Sequence, residues 1–135
     1  MAKTWNEKLR GGKPAHLSVM TKPLWGLQIG DTLFIATPLM VRDYMKKIPK
    51  RKSRSIPQMR DDLAKIHKAN GTCPLTSSIF ARIVAEAALE DIKAGKNVGT
   101  VTPFWRLIDK NNPIAKKLTC GPEFVGKKRK EEGLP

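Results

Sequence analysis

Residues 55–95 read SIPQMRDDLAKIHKANGTCPLTSSIFARIVAEAALEDIKAG, and this stretch decides the fold. Ser55-Ile56-Pro57-Gln58 has the spacing of a capping box with proline in the first turn, so a helix starts there. Ile56, Met59, Leu63 and Ile66 recur at helical spacing and predict a buried face running to about Lys68. Asp61 and Asp62 fit the favourable dipole at the start of that helix. Ala69-Asn70-Gly71-Thr72 breaks it. A second helix follows, capped by Thr76, Ser77 or Ser78 and ending near Ala94 before Gly95. Ile79, Phe80, Ile83, Val84, Ala87 and Ala88 form its expected apolar stripe. Two helices joined by a turn suggest a helix-turn-helix or winged-helix arrangement, although the 69–77 connection is longer than the usual three or four residues.

On the N-terminal side, Asp31 to Ala36 reads as a short strand. Thr37-Pro38 opens another helix, with Thr37 as N-cap. Met40, Val41, Tyr44, Met45 and Ile48 form its buried face, and Pro49 stops it. Residues 1–30 are rich in Gly, Pro and Lys and read as an irregular arm. Trp5 and Trp25 are expected to pin that arm to a domain spanning 31–135. On the C-terminal side, Val98 to Val101 reads as a short strand and Thr102 to Asp109 as extended or turn-like. Lys127 to Gly133 reads as a polar helix or a frayed tail. The expected class is α/β, mostly α, with short strands.

The chain has 135 residues, 40% of them apolar, enough for one domain with its own core. Lys and Arg number 26 against 12 Asp and Glu, a formal charge of +14. So large a charge opposes compaction unless a polyanion offsets it, and nucleic acid is the commonest such partner. Six of the nine residues from Lys46 to Arg54 are basic. Arg51, Lys52 and Arg54 are candidate phosphate contacts, a solvated linker being the alternative. No apolar run approaches the roughly 18 residues of a membrane span. No secretory leader is read, so the expected place is the cytoplasm, or the nucleoid if DNA is bound.

Candidates for catalysis are few. There is no phosphate loop, His-Glu-x-x-His or Cys-x-x-Cys. His16 and His67 lack neighbours at ligand spacing and read as surface histidines, so neither a metal nor another cofactor is expected. Cys73 and Cys120 read as free thiols.

Four segments carry a resemblance to the alkylguanine-DNA alkyltransferases and to the alkyltransferase-like proteins. Val41-Arg42-Asp43-Tyr44-Met45-Lys46-Lys47-Ile48-Pro49 with Arg54-Ser55 is similar to the opening of their DNA-binding domain. Ala81-Arg82-Ile83-Val84-Ala85-Glu86-Ala87-Ala88 is similar to their recognition helix. Pro103-Phe104-Trp105-Arg106-Leu107-Ile108 falls where the family has Pro-Cys-His-Arg-Val. Gly121 to Gly133 resembles the closing helix. Together these segments span about two-thirds of the chain.

The resemblance implies a DNA-binding fold in which Arg82 is an arginine finger that fills the gap left by a flipped base. Ser78, Ala81 and Ala85 are small, which suits close approach to a minor groove. Glu86, Glu90 and Asp91 on the same helix would repel phosphates. Arg106 belongs to the same implied DNA-binding set. Phe104 stands at the alkyl-accepting cysteine, Trp105 at its activating histidine, and Ile56 at the tyrosine that helps rotate the nucleotide. Without a sulfur nucleophile no alkyl group can be accepted. Phe104 and Trp105 would either line the old base pocket or belong to the core. The expectation is a non-catalytic DNA-binding protein that scans for damaged bases and recruits repair proteins. An RNA- or ribosome-associated role, or a protein-interaction scaffold, are the alternatives.

Overall fold

Thr4 and Glu7 cap each other reciprocally and start the first helix, α1 (Trp5–Arg10), in the computed structural model, which describes residues 3–135. Three strands follow the order β1-β2-β3. β1 (His16–Val19) pairs antiparallel with β2 (Thr32–Ile35), and β2 pairs parallel with β3 (Gly71–Thr72). The rest is mostly helical: α2 (Pro38–Lys47), α3 (Ile56–Ile66), α4 (Pro74–Lys93), α5 (Pro113–Lys117) and α6 (Gly121–Glu131). All three strands precede α4 among the described residues.

Local chemistry explains most of these boundaries. Thr37 and Ser55 accept the backbone N–H of Met40 and Gln58, and proline in each first turn supplies a fixed φ where no N–H is needed. Gly95 follows α4 with φ +104°, a conformation that side chains other than glycine's rarely take. The core lies where α4 meets α1, α2 and α3. Ala81, Val84, Ala85 and Ala88 are buried along α4 and let its neighbours approach closely. Val41, Met45, Met59, Phe104, Ile108 and Val125 are fully buried around them. Each such side chain contributes about 1.5–3 kcal/mol through removal from water.

The structure corrects the expected layout in several places. Within the described part of the expected irregular arm, residues 3–30, a helix and a strand form. α1 is tied to α4, whose Glu90 carboxylate accepts the N–H of Trp5 (2.8 Å) and Asn6 (3.0 Å), and β1 joins the sheet. Trp5 packs against the core, whereas Trp25 is 42% exposed on a left-handed residue. α4 begins at Pro74, not near Thr76–Ser78, and Ser77 turns inward to donate to the Cys73 carbonyl (2.7 Å). Its buried stripe is rotated, leaving Ile79 exposed. Val98–Thr100 is a 3-10 turn capped by Asn97, not a strand. Asp61 and Asp62 lie mid-helix, so the dipole does not explain them. Of the two readings for Lys127 to Gly133, the helix is the one formed: Lys127 to Lys130 belong to α6.

Ile66 departs furthest from the expected core, at 67% exposure. Replacing it with serine is therefore expected to change stability by no more than about 0.5 kcal/mol. Urea unfolding midpoints check this. A shift corresponding to more than about 1.5 kcal/mol would return Ile66 to the core.

Candidate nucleic-acid interface

Glu132 links the turn after α2 to the end of α6. Its carboxylate is buried and accepts hydrogen bonds from Trp105 Nε1 (2.8 Å), the Arg51 backbone N–H (3.0 Å), and Arg106 Nε (2.9 Å) and Nη2 (3.1 Å). Burial alone would raise its pKa. Arg106, the Arg51 N–H and Trp105 overcome that and hold the carboxyl at about 2. Arg106 also donates to the Ile48 carbonyl (2.9 Å), while the Arg54 N–H donates to the Arg106 carbonyl (3.0 Å).

Two basic runs separated by more than 70 residues in sequence meet at this node. One is the turn after α2, where the Lys52 N–H closes on the Pro49 carbonyl (3.0 Å) and Arg51 adopts a positive φ of 69°. Such a backbone needs outside support in a residue other than glycine, and the bond to Glu132 supplies it. The other run is the last turn of α6. Lys46 at the end of α2 and Lys50, Arg51 and Lys52 in the turn are exposed, as are Lys127 and Lys130 on α6.

The expected site residues divide accordingly. Arg51 and Lys52 lie on this surface. Arg54 is half-exposed but committed: it is ion-paired to Asp62 at 2.6 Å and donates to the Tyr44 hydroxyl, which itself donates to Asp62. Bonds from Tyr44 and then Arg54 hold the Asp62 carboxyl below its ordinary range. Burial and the Asp62 bond push the Tyr44 phenol up. The Arg106 guanidinium is engaged by Glu132 and the Ile48 carbonyl rather than standing free on this surface.

Arg82 and Ser78 lie elsewhere, in a shallow pocket of about 390 Å³ with Trp5, Lys8 and Lys117. Arg82 is held against the protein. Its Nη2 donates to the Lys117 carbonyl (3.3 Å), and its guanidinium carbon sits 5.3 Å from the Trp5 ring centroid. Its Nε is 3.9 Å from the Glu86 carboxylate. The acids expected to repel phosphate are committed too. Glu86 is buried and accepts from Thr119 (2.8 Å), Glu90 caps α1, and Asp91 accepts from Asn6. Burial raises the Glu90 pKa, but the N–H groups of Trp5 and Asn6 outweigh it and hold the carboxyl low.

Phe104 and Trp105 do not line a base pocket. They are 0% and 4% exposed, with Phe104 also stacked 6.1 Å from Phe124 between ring centroids. Of the two readings, core is the one the structure shows. Ile56 is likewise buried. Cys73 and Cys120 are free thiols, and burial pushes the Cys120 thiol up. His67 stacks on Phe34 at 3.9 Å. Among the described residues no group of three His, Cys, Asp or Glu is placed to hold a metal ion, and no helix is long and apolar enough to cross a membrane.

The Glu132–Arg106 and Asp62–Arg54–Tyr44 nodes were not read from the sequence. Glu132 and Arg106 are 26 residues apart, so no helical or strand spacing signals their contact.

Comparison of the chain with protein-family models, with curated proteins and with solved structures returned no match.

Proposed function

We propose that the protein binds nucleic acid, duplex DNA in the first instance, through the cationic surface formed by the turn after α2 and the end of α6, with no covalent chemistry of its own. One observation carries this: Glu132 ties the Arg51 backbone to the terminus of α6, so the basic turn and the basic end of α6 are neighbours in space. Ten of the twelve carboxylates are engaged in capping, hydrogen bonds or ion pairs with this chain's own groups, Asp61 and Glu123 being the others. None of Lys46, Lys50, Arg51, Lys52, Lys127 and Lys130 forms a side-chain ion pair among the described residues. A strand's phosphates are the complementary partner, and little sequence preference is expected from backbone contacts. The consecutive helices α3 and α4 supply the helix-turn-helix element of this reading. Arg82 would join only after leaving its contacts with Lys117 and Trp5. Recruitment of repair proteins would be a consequence of DNA binding.

The test is the salt dependence of binding to a labelled duplex. Each phosphate contact contributes about 0.9 to the slope of log K against log salt, so reversing Lys50, Arg51 and Lys52 to Glu should flatten it by about 2.7. Lys22→Glu, an exposed charge outside this surface, serves as control. A slope unchanged by the triple variant, or equally reduced by the control, would remove the assignment. Tighter binding of a structured RNA competitor would move the partner from DNA to RNA.

A further inference from the structure

Between α2 and α3 lies an open cleft of about 680 Å³, of which the nucleic-acid reading uses only Lys52. Its floor is aliphatic: Ile48 and Leu63 are buried beneath it, Met40 is half-exposed at one wall, and Ile66 stands out at the rim. The volume matches ordinary ligand-sized sites. Its walls are fixed, because Tyr44 from α2, Arg54 from the loop and Asp62 from α3 are mutually bonded across it.

The charge of the cleft has a sign. Asp43 and Asp62 both border it, but Asp43 is paired with Arg42 (3.2 Å) and Asp62 with Arg54 (2.6 Å). Lys47, Lys52 and Lys65 border it too and pair with no carboxylate among the described residues. An apolar trough with a cationic rim therefore faces solvent.

We infer that this cleft docks an acidic amphipathic helix of a partner protein, apolar side chains seated on Ile48, Leu63 and Ile66, and Glu or Asp facing Lys47, Lys52 and Lys65. Helix-in-groove recognition needs this combination of apolar floor and complementary rim, and a methionine wall adapts to its guest. A second copy of the chain does not fit, since it carries the same charge of +14. A nucleobase is served less well. Bases stack on π faces, whereas one face of His67 is taken by Phe34 and the Tyr44 hydroxyl is tied to Asp62.

The probe is a synthetic helical peptide with Leu at i, i+4 and i+7 and Glu at the flanking positions, titrated into the isotope-labelled full chain and followed by NMR. Shift changes are expected at Met40, Leu63 and Ile66, with a Kd at least about tenfold tighter than that of the same peptide with Leu replaced by Ser. Ile66→Ser should weaken binding by about tenfold while leaving the urea midpoint in place. Lys65→Glu should weaken it as well. Equal affinity for the Leu and Ser peptides would overturn the proposal, because simple charge attraction would then suffice. So would shift changes confined to Lys50 and Arg51, which lie outside the cleft, or a single-stranded oligonucleotide that perturbs the same cleft residues and displaces the peptide. These results do not depend on the duplex salt slope, so either assignment can fail without the other.

Discussion

Glu132→Ala is expected to lose about 3–5 kcal/mol of folding stability, the range for removing one partner of a buried ion pair. The reason lies in what remains. Arg106 is only 15% exposed, so its guanidinium would be left largely dry and uncompensated. Trp105 Nε1 would lose its acceptor in the core, and the left-handed Arg51 would lose the bond that supports it. A domain of this size commonly has only about 5–15 kcal/mol in total, so a large share disappears with one carboxylate. Urea unfolding measures it, and a loss below about 1 kcal/mol would show that Arg106 finds water or another acceptor. Acid should act on the same node. The folded carboxyl titrates at about 2, below its ordinary value. Its contribution is therefore complete above the ordinary carboxylate range and declines as pH falls through that range toward 2. In Glu132→Gln this part of the acid sensitivity should vanish. Either variant, held at a temperature where it stays folded, should also weaken duplex binding, because the turn at Lys50–Lys52 is no longer fixed beside α6.

How much of this was legible depends on how local the cause is. Thr37-Pro38 and Ser55 with Gln58 cap their helices from within four residues, and both starts were readable. The same logic applies to Thr4 and Glu7, a capping box overlooked among the glycines, prolines and lysines of the first 30 residues. Ile66 keeps helical spacing with Met59 and Leu63, yet it lies on the last residue of α3, where the core no longer covers that face. Periodicity says which residues share a face, not how far a neighbour extends over it. Composition flagged the basic turn and the basic end of α6 separately. That they meet depends on Glu132, and nothing local in the sequence signals a contact between residues 51 and 132. Arg106 carries the same formal charge as Lys52, but Glu132 and Ile48 have already claimed its guanidinium, and Arg82 is partly turned to Lys117 and Trp5. Charge counted along the chain overstates the charge available to a ligand.

Phe104 supplies the second large effect. It is fully buried against Trp105 and Phe124, so Phe104→Ala should cost about 3–5 kcal/mol from lost transfer energy plus the cavity left behind. The informative variant is Phe104→Cys, which puts a thiol where the resemblance to alkyltransferases has one. That thiol should accept no alkyl group from an alkylated-guanine duplex. A nucleophilic cysteine needs access and a partner that stabilises its thiolate. Position 104 is sealed, its neighbour is Trp105 rather than histidine, His67 is stacked on Phe34, and His16 sits in the exposed strand β1. An apolar surround would also push the thiol pKa upward, away from reactivity. Intact-mass measurement after incubation with the alkylated duplex should show no added alkyl group, and a disulfide reagent should label residue 104 only under conditions that unfold the chain. An alkyl adduct formed while the urea transition still shows a folded protein would mean that the Phe104 site opens to admit a base, and the proposed non-covalent function would have to be replaced by alkyl transfer lost through a single substitution.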